Sequence, residues 1–351
     1  MSGRRIQFSA LDAWRGVAAL GVALFHFFPG WAGYLAVDFF FVLSGFILSH
    51  GYLYGTGKLR LRVFLVHRLA RLYPLHAYAL VVFVAVAYWL HGQWPSYPDG
   101  TVFTFVQHLL LLNNVGLNSA GLTYNEPSWS ISVEFVVNLL FFCFVSARTS
   151  SLLLAAVALV GVVFIWALSG HLDVHFQNYF DFLNAGLVRC ISSFCLGILT
   201  YRLYRWWRSE VRISYAWSWI EWALVTMVAG VLFARSGKTS ALDFVAPFLF
   251  MAVVFVFALE QGWLSTHMQR LAHLGKISYS IYLNQFVLLM VFRSVWPDGG
   301  GRLMLLGYLA VLLVYSHATF YWVEQPARIY LRRKFERSMH LARERWQGEF
   351  K

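Results

Sequence analysis

Long apolar runs recur from one end of the chain to the other, separated by short polar stretches. A bilayer core about 30 Å thick needs roughly 20 apolar residues in a helix. Runs of that order predict ten helices, near 10–28, 33–54, 74–91, 127–146, 151–169, 183–203, 216–234, 241–259, 277–295 and 303–323. The pattern changes in three places. Residues 58–71 interleave Lys58, Arg60, Arg62, Arg68 and Arg71 with apolar positions, which predicts an amphipathic helix in the membrane interface before Tyr73 and Pro74 open the third span. The stretch 92–126 starts with the turn-forming residues Trp94 to Gly100 and continues into an apolar segment, Phe103 to Leu112, too short to span. Such a segment re-enters the membrane or caps it from outside. Beyond Arg328 the pattern is that of a charged, solvated helix.

The expected fold is therefore an all-α integral membrane protein with about ten transmembrane helices in one bundle, residues 1–328, followed by a basic cytoplasmic C-terminal helix or tail, 329–351. No internal repeat and no matched pair of Gly/Pro-broken helices is visible, which argues against a glycan or lipid transporter. Arg15 interrupts the first apolar run and no small-residue cleavage site follows it, so that run reads as a retained helix rather than a signal peptide.

Composition changes the picture little: 59% of the 351 residues are hydrophobic and 13% charged. The formal net charge of +12 does change it, because it raises nucleic acid as a partner. Its distribution argues for membrane topology instead. With both termini in the cytoplasm, only Arg235, Lys238 and Arg302 fall in outside loops, and Arg15, Arg189 and Arg293 fall within spans. All other Lys and Arg are then cytoplasmic, as the positive-inside rule requires. The expected partners are membrane lipids, with the basic excess also open to an anionic cytoplasmic ligand, and no nucleic acid. Cys143, Cys190 and Cys195 sit in apolar segments without the spacing of a redox pair or a zinc site, so no metal is expected.

Ionisable groups inside spans are expensive and usually functional. Arg15 and His26 lie eleven positions apart in the first helix. That spacing is about 1100°, close to three full turns, so both share one face about 16 Å apart along the axis. Snorkelling of Arg15 and simple packing of His26 are the alternatives. Asp38, early in the second helix, is placed either to orient His26 or to cap its own helix. Glu134 lies about two turns into the fourth span, where it pairs with Arg15, binds a hydroxyl or forms a purely structural ion pair. Arg68 and Arg71, three apart, present adjacent guanidinium groups. Their planar forks suit phosphate, although a lipid-facing cluster would look the same. Late in the chain Ser278, Tyr279, Ser280, Tyr282 and Asn284 bring polar groups into a span, to line a cavity or to cap helices.

In this order the motifs resemble those of the membrane-bound acyltransferase 3 family: Leu11-Asp12 with Arg15-Gly16 and His26, Val37 to Phe46, Arg68 with Arg71, Trp129-Ser130 through Glu134, Ile277 to Leu283, and Glu324 with Pro326. They cover residues 11–328. Many members carry His where this chain has Gln285, which removes a second base from that position. The soluble SGNH-type domain that some members append is not expected here. The resemblance implies transfer of an acyl group, commonly acetyl, from cytoplasmic acyl-CoA to a hydroxyl of an envelope or secreted polysaccharide or its lipid-linked precursor. A small hydroxylated metabolite such as an antibiotic is the alternative acceptor. It also implies a bacterial inner membrane location. His26 would be the base or a transient acyl carrier, with Asp38 or Glu134 orienting it. Arg15, Arg68 and Arg71 would hold the CoA phosphates, and Ser44, Trp129, Tyr279 and Tyr282, within the matching motifs, would bind substrate.

Overall fold

The computed structural model of the protein describes residues 7–54, 61–117, 123–208, 215–234, 239–297 and 301–348, with side chains as far as residue 337. Arg4, Arg5, Lys58, Arg60, Arg212, Arg235 and Lys238, on which the topology argument leans, lie outside these residues.

Every predicted span is occupied mainly by helix. In chain order these are α1 (Ser9–Phe27), α2 (Ala36–Leu48), α3 (Leu61–His91), α4 (Thr101–Leu109), α5 (Ser128–Phe144), α6 (Ser151–Ser169), α7 (Ala185–Trp207), α8 (Ala216–Phe233), α9 (Ala246–Leu259), α10 (Trp263–Met268), α11 (Ala272–Val295), α12 (Gly301–Thr319) and α13 (Gln325–Gly348). Among the described residues, eight helical runs are long and apolar enough to cross a membrane. The remaining two predicted spans are α1, which carries Asp12 and Arg15, and α5, which has 17 residues. The only paired strands among the described residues are β1 (Asn178–Tyr179) and β2 (Leu183–Asn184), a short antiparallel hairpin between α6 and α7. The protein is an all-α membrane bundle.

One local expectation is overturned. Pro74 does not open a span, and Arg62 to Arg71 do not form a separate interfacial helix; α3 runs without interruption from Leu61 to His91. The proline removes one backbone donor, that to the Ala70 carbonyl, and the helix continues through it. The Tyr279 hydroxyl donates to the Leu72 carbonyl at 2.7 Å beside this weakened turn. At 1.5 Å per residue α3 is about 46 Å long, more than a hydrocarbon core needs, so part of it projects beyond that layer.

Two helix pairs organise the centre. α1 lies along α11, and α2 lies along α7 with α6 and α9 around them. The α2 run is 78% buried and the α8 run only 11%. Close approach of α2 and α7 depends on Gly45 and Gly197, because a Cβ on Gly45 would strike the Phe194 carbonyl and one on Gly197 the Val42 carbonyl. Small residues at such contacts are what allow backbones to meet in a membrane. Exposed Trp206, Trp207, Trp219 and Trp222 flank the junction of α7 and α8, where an aromatic belt at a membrane interface would lie. The start of α1 is capped from another helix: Glu260, in the left-handed conformation that ends α9, accepts the Ala10 N–H at 3.0 Å. Burial raises the pKa of this carboxyl above its ordinary value.

Candidate active site

A cavity of about 470 Å³ opens where α1 begins and α2 ends. Its volume is in the range of small-molecule sites. Five helices build it, and each brings residues that are distant in sequence. α1 contributes Asp12 and Arg15, α2 Phe40 and Ser44, with His50 from the helical turn that follows it, α3 Arg68 and Arg71, α5 Ser130 and Glu134, and α11 Tyr279 and Tyr282.

Three arginines face two carboxylates across this space, leaving it net positive. Arg15 pairs with Asp12 at 3.2 Å, one turn before it on α1, and not with Glu134. Glu134 instead accepts a hydrogen bond of 2.6 Å from Ser44, tying α5 to α2. Arg68 is only 7% exposed, and its Nε has no hydrogen-bond partner. Its guanidinium sits 5.9 Å from the Phe64 ring centroid. This burial in a cavity wall removes the lipid-facing alternative for Arg68. A buried N–H donor without an acceptor is costly unless an anion supplies one. Deeper in, the Ser130 and Tyr282 hydroxyls share a hydrogen bond of 2.8 Å. His50, which the sequence did not single out, lines the cavity with its Nδ1 3.0 Å from the Tyr201 hydroxyl.

His26, Asp38 and Trp129 are not in the cavity wall. Asp38 neither caps α2 nor orients His26. It is fully buried, and Arg189 on α7 grips it through Nη2 at 2.6 Å and Nε at 3.2 Å. Ser193 adds a third donor at 2.9 Å, and the remaining Arg189 donors go to the Leu172 and Tyr34 carbonyls. A carboxylate so fully engaged has no free oxygen to offer elsewhere. Two opposite charges placed within spans was the signal that could have paired them from sequence, since intramembrane charges find one another. Trp129, expected to bind substrate, is buried and stacks on His175 at 4.7 Å, with Arg189 6.0 Å from its ring.

His26 occupies the last turn of α1, about 16 Å along the axis from Arg15. Its Nδ1 is 3.0 Å from the Val22 carbonyl, and its Nε2 is 3.8 Å from Glu126 Oε1. Neither Asp38 nor Glu134 bonds to it; the nearby carboxylate is Glu126, in the turn that leads into α5. Asn125 and Gln285, neighbours in sequence of Glu126 and of the Phe286 that touches His26, each keep a buried side-chain oxygen without a partner. No cluster of side chains suited to a metal ion is present among the described residues.

Residues 8–323 match the family profile described as an acyltransferase domain. A relative known as protein 2 in the picA locus of Rhizobium radiobacter is 40% identical over 154 residues, 38% of this chain and 79% of that protein. The acyltransferase MdmB of Streptomyces mycarofaciens is 33% identical over 124 residues, 35% of this chain and 30% of its own length. A protein of Staphylococcus aureus strain COL, provisionally named an O-acetyltransferase, is 39% identical over 69 residues, 18% of this chain and 11% of its own length. No solved structure matches the chain. Because the family match takes in all the helices that build the cavity and the His26 turn, the chain belongs to the acyltransferase 3 family of integral membrane proteins.

Proposed function

We propose that the protein transfers an acyl group, acetyl first among candidates, from acyl-CoA to a hydroxyl of an envelope or secreted polysaccharide or its lipid-linked precursor. The observation that carries this reading is the cavity that Arg15, Arg68 and Arg71, from two helices, line together, with the buried Arg68 Nε unpartnered. The phosphates of acyl-CoA are the anions such forks suit. The positive-inside bias argues that this end faces the cytoplasm of a bacterial inner membrane, where acyl-CoA is made. His26 stands about 16 Å further along α1, a separation comparable with an extended phosphopantetheine arm reaching through the bundle. Its role is that of general base, taking the proton of the acceptor hydroxyl as the oxygen attacks the thioester carbon.

The experiment is release of free thiol from acetyl-CoA by the purified protein in detergent, with and without polysaccharide extracted from the envelope of the producing cells. Thiol release that depends on the polysaccharide, together with acetyl ester on the recovered polymer, is the expected result. Protein that binds acetyl-CoA yet releases no thiol with that acceptor would overturn the acceptor class. Protein that binds no acyl-CoA would overturn the donor.

A further inference from the structure

His26 has a charged neighbour of its own. In the tautomer that donates from Nδ1 to the Val22 carbonyl at 3.0 Å, the shorter of the two ring contacts, the lone pair of the neutral ring is on Nε2. That lone pair faces Glu126 Oε1 at 3.8 Å. The gap is too long for a direct hydrogen bond and leaves Nε2 uncommitted, while a charge at that distance still acts strongly in a partly buried site. A carboxylate gains little from a neutral imidazole and much from an imidazolium. Its contribution therefore grows as the proton moves, which is the condition for lowering a barrier.

The backbone that carries Glu126 is held in place by its surroundings. The Asn125 side chain donates to the Leu283 carbonyl of α11 at 2.9 Å, and the Ser128 and Trp129 amides close the turn onto the Asn125 and Glu126 carbonyls. The same α11 brings the Phe286 ring against His26, with centroids 5.9 Å apart, and sends Arg293 to the His26 carbonyl at 2.8 Å. Among the described residues, the charged side chains in contact with His26 are the Glu126 carboxylate at the ring and the Arg293 guanidinium at the backbone.

We propose that Glu126 is the positioning residue of His26, steadying the imidazolium that forms when Nε2 takes the acceptor's proton; this rests on the reading of His26 as the base. The acceptor O–H bond breaks as its proton moves to Nε2, the oxygen bonds to the acyl carbon, and the carbon–sulfur bond breaks. The imidazolium then returns its proton to the departing sulfur. An ester and a free thiol result, and His26 returns to its starting form.

A double-mutant cycle tests this, with acetyl-CoA and envelope polysaccharide as probes. Glu126→Gln should remain monodisperse, keep its Kd for acetyl-CoA and its KM for polysaccharide, and lose about ten- to a hundredfold in kcat. Glu126→Asp should recover part of that loss, which a merely structural role would not produce. In a His26→Gln background the second change should cost nothing further. Glu126→Gln within twofold of the parent, while His26→Gln is down a hundredfold or more, would overturn the role of Glu126 and leave the base standing. An equal loss from Glu126→Gln in both backgrounds would overturn it too, since Glu126 would then act apart from His26. His26→Gln retaining near-parental turnover would remove the base itself.

Discussion

Asp38 and Arg189 close a fully buried ion pair of 2.6 Å between α2 and α7. Removing one partner strands the other charge in a low-dielectric core, which typically costs about 3–5 kcal/mol. Asp38→Ala and Arg189→Ala should each give little folded protein, read as loss of the monodisperse fraction in detergent. Asp38→Leu combined with Arg189→Met removes both charges and should recover folded protein. If that double variant folds and still transfers acyl groups, Asp38 serves the fold; if it folds but is inactive, Asp38 belongs to the reaction.

Arg68 and Arg71 give a second test. Arg68→Ala with Arg71→Ala should weaken acetyl-CoA binding at least tenfold while slowing the bound step much less. Arg71→Lys should be milder than Arg71→Ala but not equal to the parent, because an ammonium keeps the charge and loses the two-pronged fork. Titration calorimetry on the purified variants decides it, and an unchanged Kd in the double variant would take phosphate binding away from this helix.

These tests divide along the line between what is local and what is not. Helix positions were legible because span length and apolar content are local properties, and so was the adjacency of Arg68 and Arg71 on one helix face. The partner of Asp38 was not, since Arg189 lies 151 positions away and the register of α2 against α7 is decided by Gly45 and Gly197. Glu126 carried no signal at all: a carboxylate in a polar turn is unremarkable until the fold places it opposite His26. The reading of Arg62 to Arg71 as a separate interfacial helix failed because basic residues near an apolar run look solvent-facing. In α3, Arg68 instead points into a cavity that only the assembled bundle creates.

The His108 cluster predicts a pH dependence of stability. His108, on the short helix α4, is bonded to Thr123 at 2.7 Å and to Ser128 at 3.3 Å, and its carbonyl lies 2.7 Å from His76 Nε2. Burial, reinforced by the neighbouring His76 ring, pushes its pKa down from 6.5 to about 3. The folded protein therefore refuses a proton that the unfolded chain accepts. Its contribution is complete above pH 6.5 and is lost as pH falls from there toward 3, by at most about 1.4 kcal/mol per pH unit. The apparent Tm in detergent should fall through that window, and His108→Asn should flatten the fall. A slope unchanged by the substitution would assign the acid sensitivity to other groups.

Glu134 offers the sharpest separation of binding from chemistry. It faces the arginines of the cavity while accepting the Ser44 hydroxyl, so its charge opposes any anion bound there. Glu134→Gln retains an oxygen to accept that hydrogen bond and removes only the charge. Relieving the repulsion should tighten acetyl-CoA binding by about 1 kcal/mol, roughly fivefold, for a partly screened pair at this range. If Glu134 also orients the acceptor, turnover should fall although binding improves, a combination that a collapsed cavity cannot produce. Weaker binding in Glu134→Gln would mean that its charge is needed to hold Arg68 in place, and the cavity's affinity for anions would then depend on that pair. Tighter binding with parental turnover would place Glu134 outside the chemistry and leave it as the brake that keeps the free coenzyme product from lingering.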